Sequence, residues 1–204
     1  MSILDSLRAD ARTENFTPLP DGAYFPREGC RVRGTYVHRN IRNGIAEPWR
    51  EDSNLVTEEG YNHILDVALG IKPKVAGYYF ALFSGAAQPA STWTAGNFTS
   101  IASENVSLTE GYTQTSRQLW VPFPAANSTI TNFTDSASNR ATFTFATQSS
   151  VTITGSALLS SPTRGGSDGV LVSASRYAVP RVEQEGDTLQ VGYSLTLTLA
   201  DAAS

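Results

Sequence analysis

The second half of this chain is written in periods of two, and that constrains its fold more than any other feature. Phe143 and Phe145 alternate with Thr142 and Thr144, and Leu195, Leu197 and Leu199 alternate with Thr196 and Thr198. Successive strand residues point to opposite faces, so such alternation describes one buried and one wet face of a sheet. Further β-rich segments run over 118–121, 151–159 and 170–177. Gly155, Gly165-Gly166, Asp168-Gly169 and Gly186-Asp187 punctuate them as turn residues. Residues 78–83 (Tyr-Tyr-Phe-Ala-Leu-Phe) are apolar without a break, the pattern of a strand covered on both faces. The expected fold is mainly β: an Ig-like or jelly-roll β-sandwich with one α-helix, an extended N-terminal arm and a hairpin outside it, and a central closing strand.

The helix is predicted between Thr57 and Leu69. Tyr61, Ile64, Leu65, Ala68 and Leu69 follow the i, i+3, i+4, i+7, i+8 template and are assigned to a buried face, so that a charge at Leu65 should unfold the protein. Thr57 can cap the start, Glu58 and Glu59 suit the positive end of the helix dipole, and Gly70 suits a left-handed C-terminal position. Before it, Asn43-Gly44 predicts a two-residue hairpin turn, and Pro48 limits the return strand. Residues 84–110, rich in Ser, Thr, Ala and Gly, predict a long ordered loop with at most a short strand.

Residues 1–29 predict an extended arm. Pro18, Pro20 and Pro26 disfavour helix, while Phe16, Leu19, Tyr24 and Phe25 offer apolar anchors for a surface elsewhere. A hairpin and linker should fill 30–56, and the helix plus sandwich 57–204. With 204 residues there is room for one ordinary core and an arm. Arginines crowd the hairpin region, and Arg31, Arg33, Arg39 and Arg42, with Trp49, complete the expected partner-facing set, because Arg forks suit interfacial carboxylates.

The inventory for catalysis is small. Two histidines, His38 and His63, and one cysteine, Cys30, leave few routes to a nucleophilic triad or a zinc site and no intrachain disulfide. No enzyme activity, metal or cofactor is expected. His63 is assigned to packing or hydrogen bonding, and Arg164-Gly165-Gly166 to a turn between strands rather than a phosphate loop. Glu183, Glu185 and Asp187 are read as a solvated loop. Trp93, Trp120 and Tyr112 suggest sugar stacking as a minority alternative to packing. The net charge of −4 disfavours nucleic acid as a partner. No apolar run has membrane length and the first residues lack a signal-peptide pattern, so a soluble chain made in a cytoplasm is expected.

The run Asn54-Leu-Val-Thr-Glu-Glu-Gly60, leading into the helix and ending at Gly70, resembles a segment of virion structural proteins of tailed bacteriophages, in which a hairpin precedes an Asn-Leu-Val-Thr-x-x-Gly turn and one helix. The likeness continues through 78–83, 139–145, 153–160, 166–171 and 186–191, covering roughly residues 30 to 199. It implies a homo-oligomeric structural protein located in the virion. The expected role is a capsid decoration or cement protein bridging major capsid subunits, with a tail-associated adaptor, fibre-attachment or receptor- or glycan-binding module, next to tail or portal-proximal proteins, as the alternative.

Overall fold

A computed structural model describes residues 16–18, 24–26, 29–134 and 139–200. The chain divides into two units, residues 1–32 with 197–204, and residues 33–196. In the first, β1 (Phe16–Pro18) pairs antiparallel with β2 (Tyr24–Pro26). Of the rest of the expected arm, residues 1–15, 19–23, with Leu19 among them, and 27–28 lie outside the described residues.

The second unit carries a two-sheet antiparallel β-sandwich, as the alternation predicts. One sheet has seven strands: β3 (Gly29–Arg42), β4 (Ile45–Ala46), β5 (Arg50–Ser53), β8 (Gly111–Tyr112), β10 (Thr129–Thr131), β11 (Ala141–Ala146) and β14 (Thr188–Ala200). Its main order is β4-β3-β14-β11-β8, with β5 on β3 and β10 on β14, so the closing strand is central. The other sheet runs β6-β13-β12-β7-β9. Its strands are β6 (Leu55–Val56), β7 (Tyr78–Phe83), β9 (Gln118–Trp120), β12 (Val151–Leu159) and β13 (Leu171–Glu183). The hairpin is part of the sandwich rather than outside it. Asn43 and Gly44 make its turn with φ of +52° and +76°, and β3 supplies Tyr36, fully buried between the sheets.

The inner core interleaves Phe143, Phe145, Leu189, Val191 and Tyr193 of the larger sheet with Phe80, Leu82, Ile153 and Leu158 of the smaller. A second apolar layer covers the smaller sheet's other face. There Ala81, Phe83, Ala157 and Leu159 meet Trp93, Phe98 and Ala102. This explains the unbroken apolar run at 78–83: Phe80 and Leu82 face one layer, Ala81 and Phe83 the other.

The second layer includes a helix where the sequence predicts a loop. We number the helices α1 (Glu58–Ala68) and α2 (Ala95–Ala102). Gly96, Asn97 and Thr99 are weak helix formers, so propensity hides α2. A local cap and tertiary contacts hold it: Asn97 Oδ1 accepts the Thr94 N–H at 2.8 Å, Phe98 is fully buried, and Glu59 Oε2 accepts the Ala95 N–H at 2.8 Å.

Helix α1 lies where predicted, with a different face inward. Thr57 caps it, its Oγ1 accepting the Gly60 N–H at 3.0 Å, and the same hydroxyl donates to the Leu171 carbonyl. Gly60 and His63 are buried and Ile64 is half-buried, whereas Tyr61, Leu65, Ala68 and Leu69 are exposed. Leu65 is 56% exposed, so a charge there meets water and the expected unfolding does not follow. The reason is Gly60. A Cβ at that position would stand 2.2 Å from the Val172 carbonyl oxygen, so the bare glycine backbone fixes which side lies on β13. Gly70 follows without a positive φ; Leu69 closes the helix with φ of −125°.

Candidate interaction face and the buried polar cluster beneath it

Strand β3 separates two sets of functional side chains by simple parity. Tyr36, His38 and Asn40 point into the sandwich, and Val37 and Arg39 point outward. The register Val37↔Glu51 and His38↔Arg50 lays β5 beside them. On the outer face, Trp49 carries the guanidinium of Arg39 at 4.3 Å from its ring centre and that of Arg140 at 4.2 Å. Arg39 Nε also donates to Gln190 Oε1 of β14 at 3.0 Å, which fixes its fork in place. Val37, Glu51 and Phe133 complete an open hollow of about 410 Å³ with these three. Gly192 leaves the room for Phe133 and Val37 to meet across β14, since a Cβ there would stand 2.7 Å and 2.9 Å from them. Trp and Arg are the side chains that most often dominate protein interfaces, and desolvating a cation over an indole strengthens their attraction.

Of the expected partner-facing residues, the structure thus brings Arg39 and Trp49 together and adds Arg140, Phe133 and Glu51. Arg33 is exposed on β3. Arg42 has a partner within the chain: Nε and Nη2 reach Asp187 Oδ2 at 2.9 and 2.7 Å, and Nη2 reaches the Val182 carbonyl at 2.7 Å. Phe16, Tyr24 and Phe25 lie in β1 and β2, whose side chains, like that of Arg31, are outside the description, and Leu19 is outside it altogether.

Beneath the outer face lies a buried polar cluster. Arg181 Nε donates to His38 Nδ1 at 3.0 Å, so the ring proton sits on Nε2, which donates to Asp52 Oδ2 at 2.7 Å. The ring stacks on Tyr177 at 3.7 Å. Burial, opposed by the Asp52 hydrogen bond, pulls the His38 pKa down to about 4, so the imidazole is neutral. Both ring nitrogens are committed and the residue is fully buried, which leaves neither free to take a proton from a substrate. His63 bonds the Tyr78 hydroxyl at 2.9 Å, a packing role for the second histidine.

Of the acidic cluster before the closing strand, Glu185 is exposed as expected, but Glu183 and Asp187 are buried rather than solvated. Glu183 is fully buried, and neither carboxylate oxygen has a hydrogen-bond partner. Burial, then the Asp187 charge, raises its pKa to about 7 against the pull of Arg42 and Arg181. Asp187 is engaged by Arg42 and by the Gln184 N–H, and Glu185 Oε2 accepts the Thr147 N–H.

These two shifts make a testable pair. His38 binds its proton more weakly folded than unfolded, so its contribution to stability is complete above pH 6.5 and is lost as pH falls toward 4. Glu183 binds its proton more tightly folded, so its contribution is complete below 4.5 and is lost as pH rises through 7. The slopes oppose each other between about pH 4.5 and 6.5, and stability there should be nearly flat in pH. Glu183→Gln should gain on the order of 2 kcal/mol at pH 8 and become steeply acid-sensitive below pH 6.5. Urea melts from pH 4 to 9 measure both; a variant with the parent's pH profile would show that Glu183 ionises freely.

Other sequence candidates resolve into structure. Trp93, Trp120 and Tyr112 are buried, at 4%, 7% and 0% exposure, and present no face to a sugar ring. Arg164-Gly165-Gly166 is a turn between β12 and β13, with Gly165 at φ +75°. Arg164 lies 3.4 Å over the Tyr112 ring and donates to the carbonyls of Asn105, Ser107, Tyr112 and Gln114. Arg117 and Glu104, each with a fully buried side chain, form a bidentate pair with both bonds at 2.8 Å. Together they order the segment read as a loop. Among the described residues no three His, Cys, Asp or Glu side chains are grouped to hold a metal, and no helix is long and apolar enough to cross a membrane.

Compared with known proteins, the chain matches no family model and no curated protein.

Proposed function

We propose that this chain is a non-enzymatic structural protein of a virion, a capsid decoration protein that attaches to the major capsid subunits through the outer face of its seven-stranded sheet. The observation that carries the reading is the Arg39–Trp49–Arg140 stack beside an open hollow: an aromatic anchor with two cations, on a rigid sheet, in reach of a partner's carboxylates. The resemblance of residues 54–70 to phage structural proteins supplies the setting. In this chain that motif is used for docking α1, consistent with an architectural role. The commitment of both His38 nitrogens supports a role without catalysis.

Trp49→Ala tests it. The variant should melt cooperatively within a few degrees of the parent, because the indole is only half-buried. Its affinity for particles stripped of the native protein should fall by roughly 30-fold, the effect of losing an interfacial anchor of about 2 kcal/mol. Unchanged occupancy would remove this face from the interface. Counting chains per particle in the same preparation separates hundreds on a shell from the few dozen or fewer of a tail-associated protein.

A further inference from the structure

The stripe that the sequence marks as core is left uncovered by the fold. Tyr61 and Leu65 on α1 and Leu69 at its C-cap follow one another at i, i+4 and i+8 and are exposed by 41%, 56% and 85%; Ile71 beyond them is fully exposed. Residues four apart form a continuous ridge along a helix. The ridge is a patch on the order of 400–500 Å², the size of the largest apolar patch of a typical monomer, a patch that often serves in binding. The helix's other side rests on β13 through Gly60, so α1 cannot roll to bury the stripe within its own domain.

We infer that this stripe is a self-association surface, on which α1 of a second copy packs antiparallel about a two-fold axis passing near Leu65. The charges flanking the ridge favour that occupant and that direction. Glu58 lies seven residues before Leu65, Lys72 seven after it, and Lys74 is exposed two residues further on. Antiparallel pairing sets the acidic N-terminal end of each helix against the basic segment after its partner's C-terminus, and opposes the helix dipoles. A parallel pair would set like charges against each other. Lys72 sits at 2.5 Å from its own Asp66 with 65% of its side chain exposed, so its ammonium can also face a neighbour's carboxylate. Twice the patch area falls below about 1,200 Å², the range of weak, reversible association, so the dimer should form at micromolar concentrations and above.

Sedimentation equilibrium of the full chain from 1 to 500 µM should show a concentration-dependent monomer–dimer exchange. Leu65→Lys should weaken it at least tenfold while leaving the melting temperature within a few degrees, since Leu65 contributes nothing to the core. Glu58→Lys should weaken dimerisation less, and adding Lys72→Glu should restore it, which only the antiparallel arrangement allows. Leu65→Cys should yield a disulfide-linked dimer under mild oxidation, because the residue faces itself across the axis; Thr152→Cys, exposed on β12, should not. A parent chain that remains monomeric at 500 µM, or a Leu65→Lys chain that dimerises like the parent, overturns the inference. The surface is distinct from the Trp49 face, so Trp49→Ala should dimerise normally whether or not it binds particles.

Discussion

Replacing Arg117 with Met should lower the unfolding free energy by about 3–5 kcal/mol, because the Glu104 carboxylate is then left buried without its bidentate partner. Arg117 also donates to the carbonyls of Ser161 at 3.2 Å and Gly166 at 3.0 Å, so its loss frees two further acceptors. Adding Glu104→Gln should recover part of the loss, since the second change removes the unpaired charge, and the non-additivity measures the coupling. Denaturant melts of the two single variants and the double give the cycle. Strict additivity would mean that the pair is hydrated in solution. Glu104 also accepts from Thr99 Oγ1 and the Gly165 N–H, so the damage should spread through residues 84–117 and appear first as fast amide exchange there.

Gly60→Ala is the second large effect. Alanine is the better helix former by up to about 1 kcal/mol, so propensity alone favours the change. Sterics reverse the sign. The new methyl would stand 2.2 Å from the Val172 oxygen and 2.8 Å from its Cα, both backbone atoms that cannot step aside. Either α1 lifts off β13 or the Thr57 N–H···O=C Val172 bond at 3.2 Å breaks, and the net cost should be about 3 kcal/mol or more. Gly96→Ala in α2 is the control: its methyl meets only Thr94 Oγ1 at 3.6 Å, so stability should hold or rise. Equal melting temperatures for Gly60→Ala and the parent would break the account of how α1 is oriented.

The two helices show what the sequence could and could not reveal. Strands 141–146, 151–159 and 188–200 were legible because threonine–apolar alternation and turn glycines are local signals. The existence of α1 was legible from its cap and period. Its buried face was not, because Gly60 and His63 carry no hydrophobic signal and the strongest apolar ridge faces outward. The interaction face was half legible. Arg39 and Trp49 stand out locally, but Arg140 joins them from about ninety residues away, and only the sheet order brings it there. Likewise Arg117 finds Glu104 across 13 residues without any periodic relation.

The sheet order also governs how the chain can come into being. β3 lies against β14, and the stretch between them holds every other strand of both sheets. The smaller sheet likewise joins β6 to β13, across more than a hundred residues. A ribosome must therefore deliver residues through about 174 before β6 has its neighbour, and must reach β14, which starts at Thr188, before β3 has a strand on its second side. Until then the nascent chain holds β3, fourteen residues long, with one long side unpaired. Loop closure on this scale puts folding in the slow, millisecond-to-second range of non-local β proteins. The interval in which that open edge can capture another chain is set by the rate of synthesis, and slowing translation or lowering temperature during expression should change the soluble yield more than it changes the stability of the finished molecule.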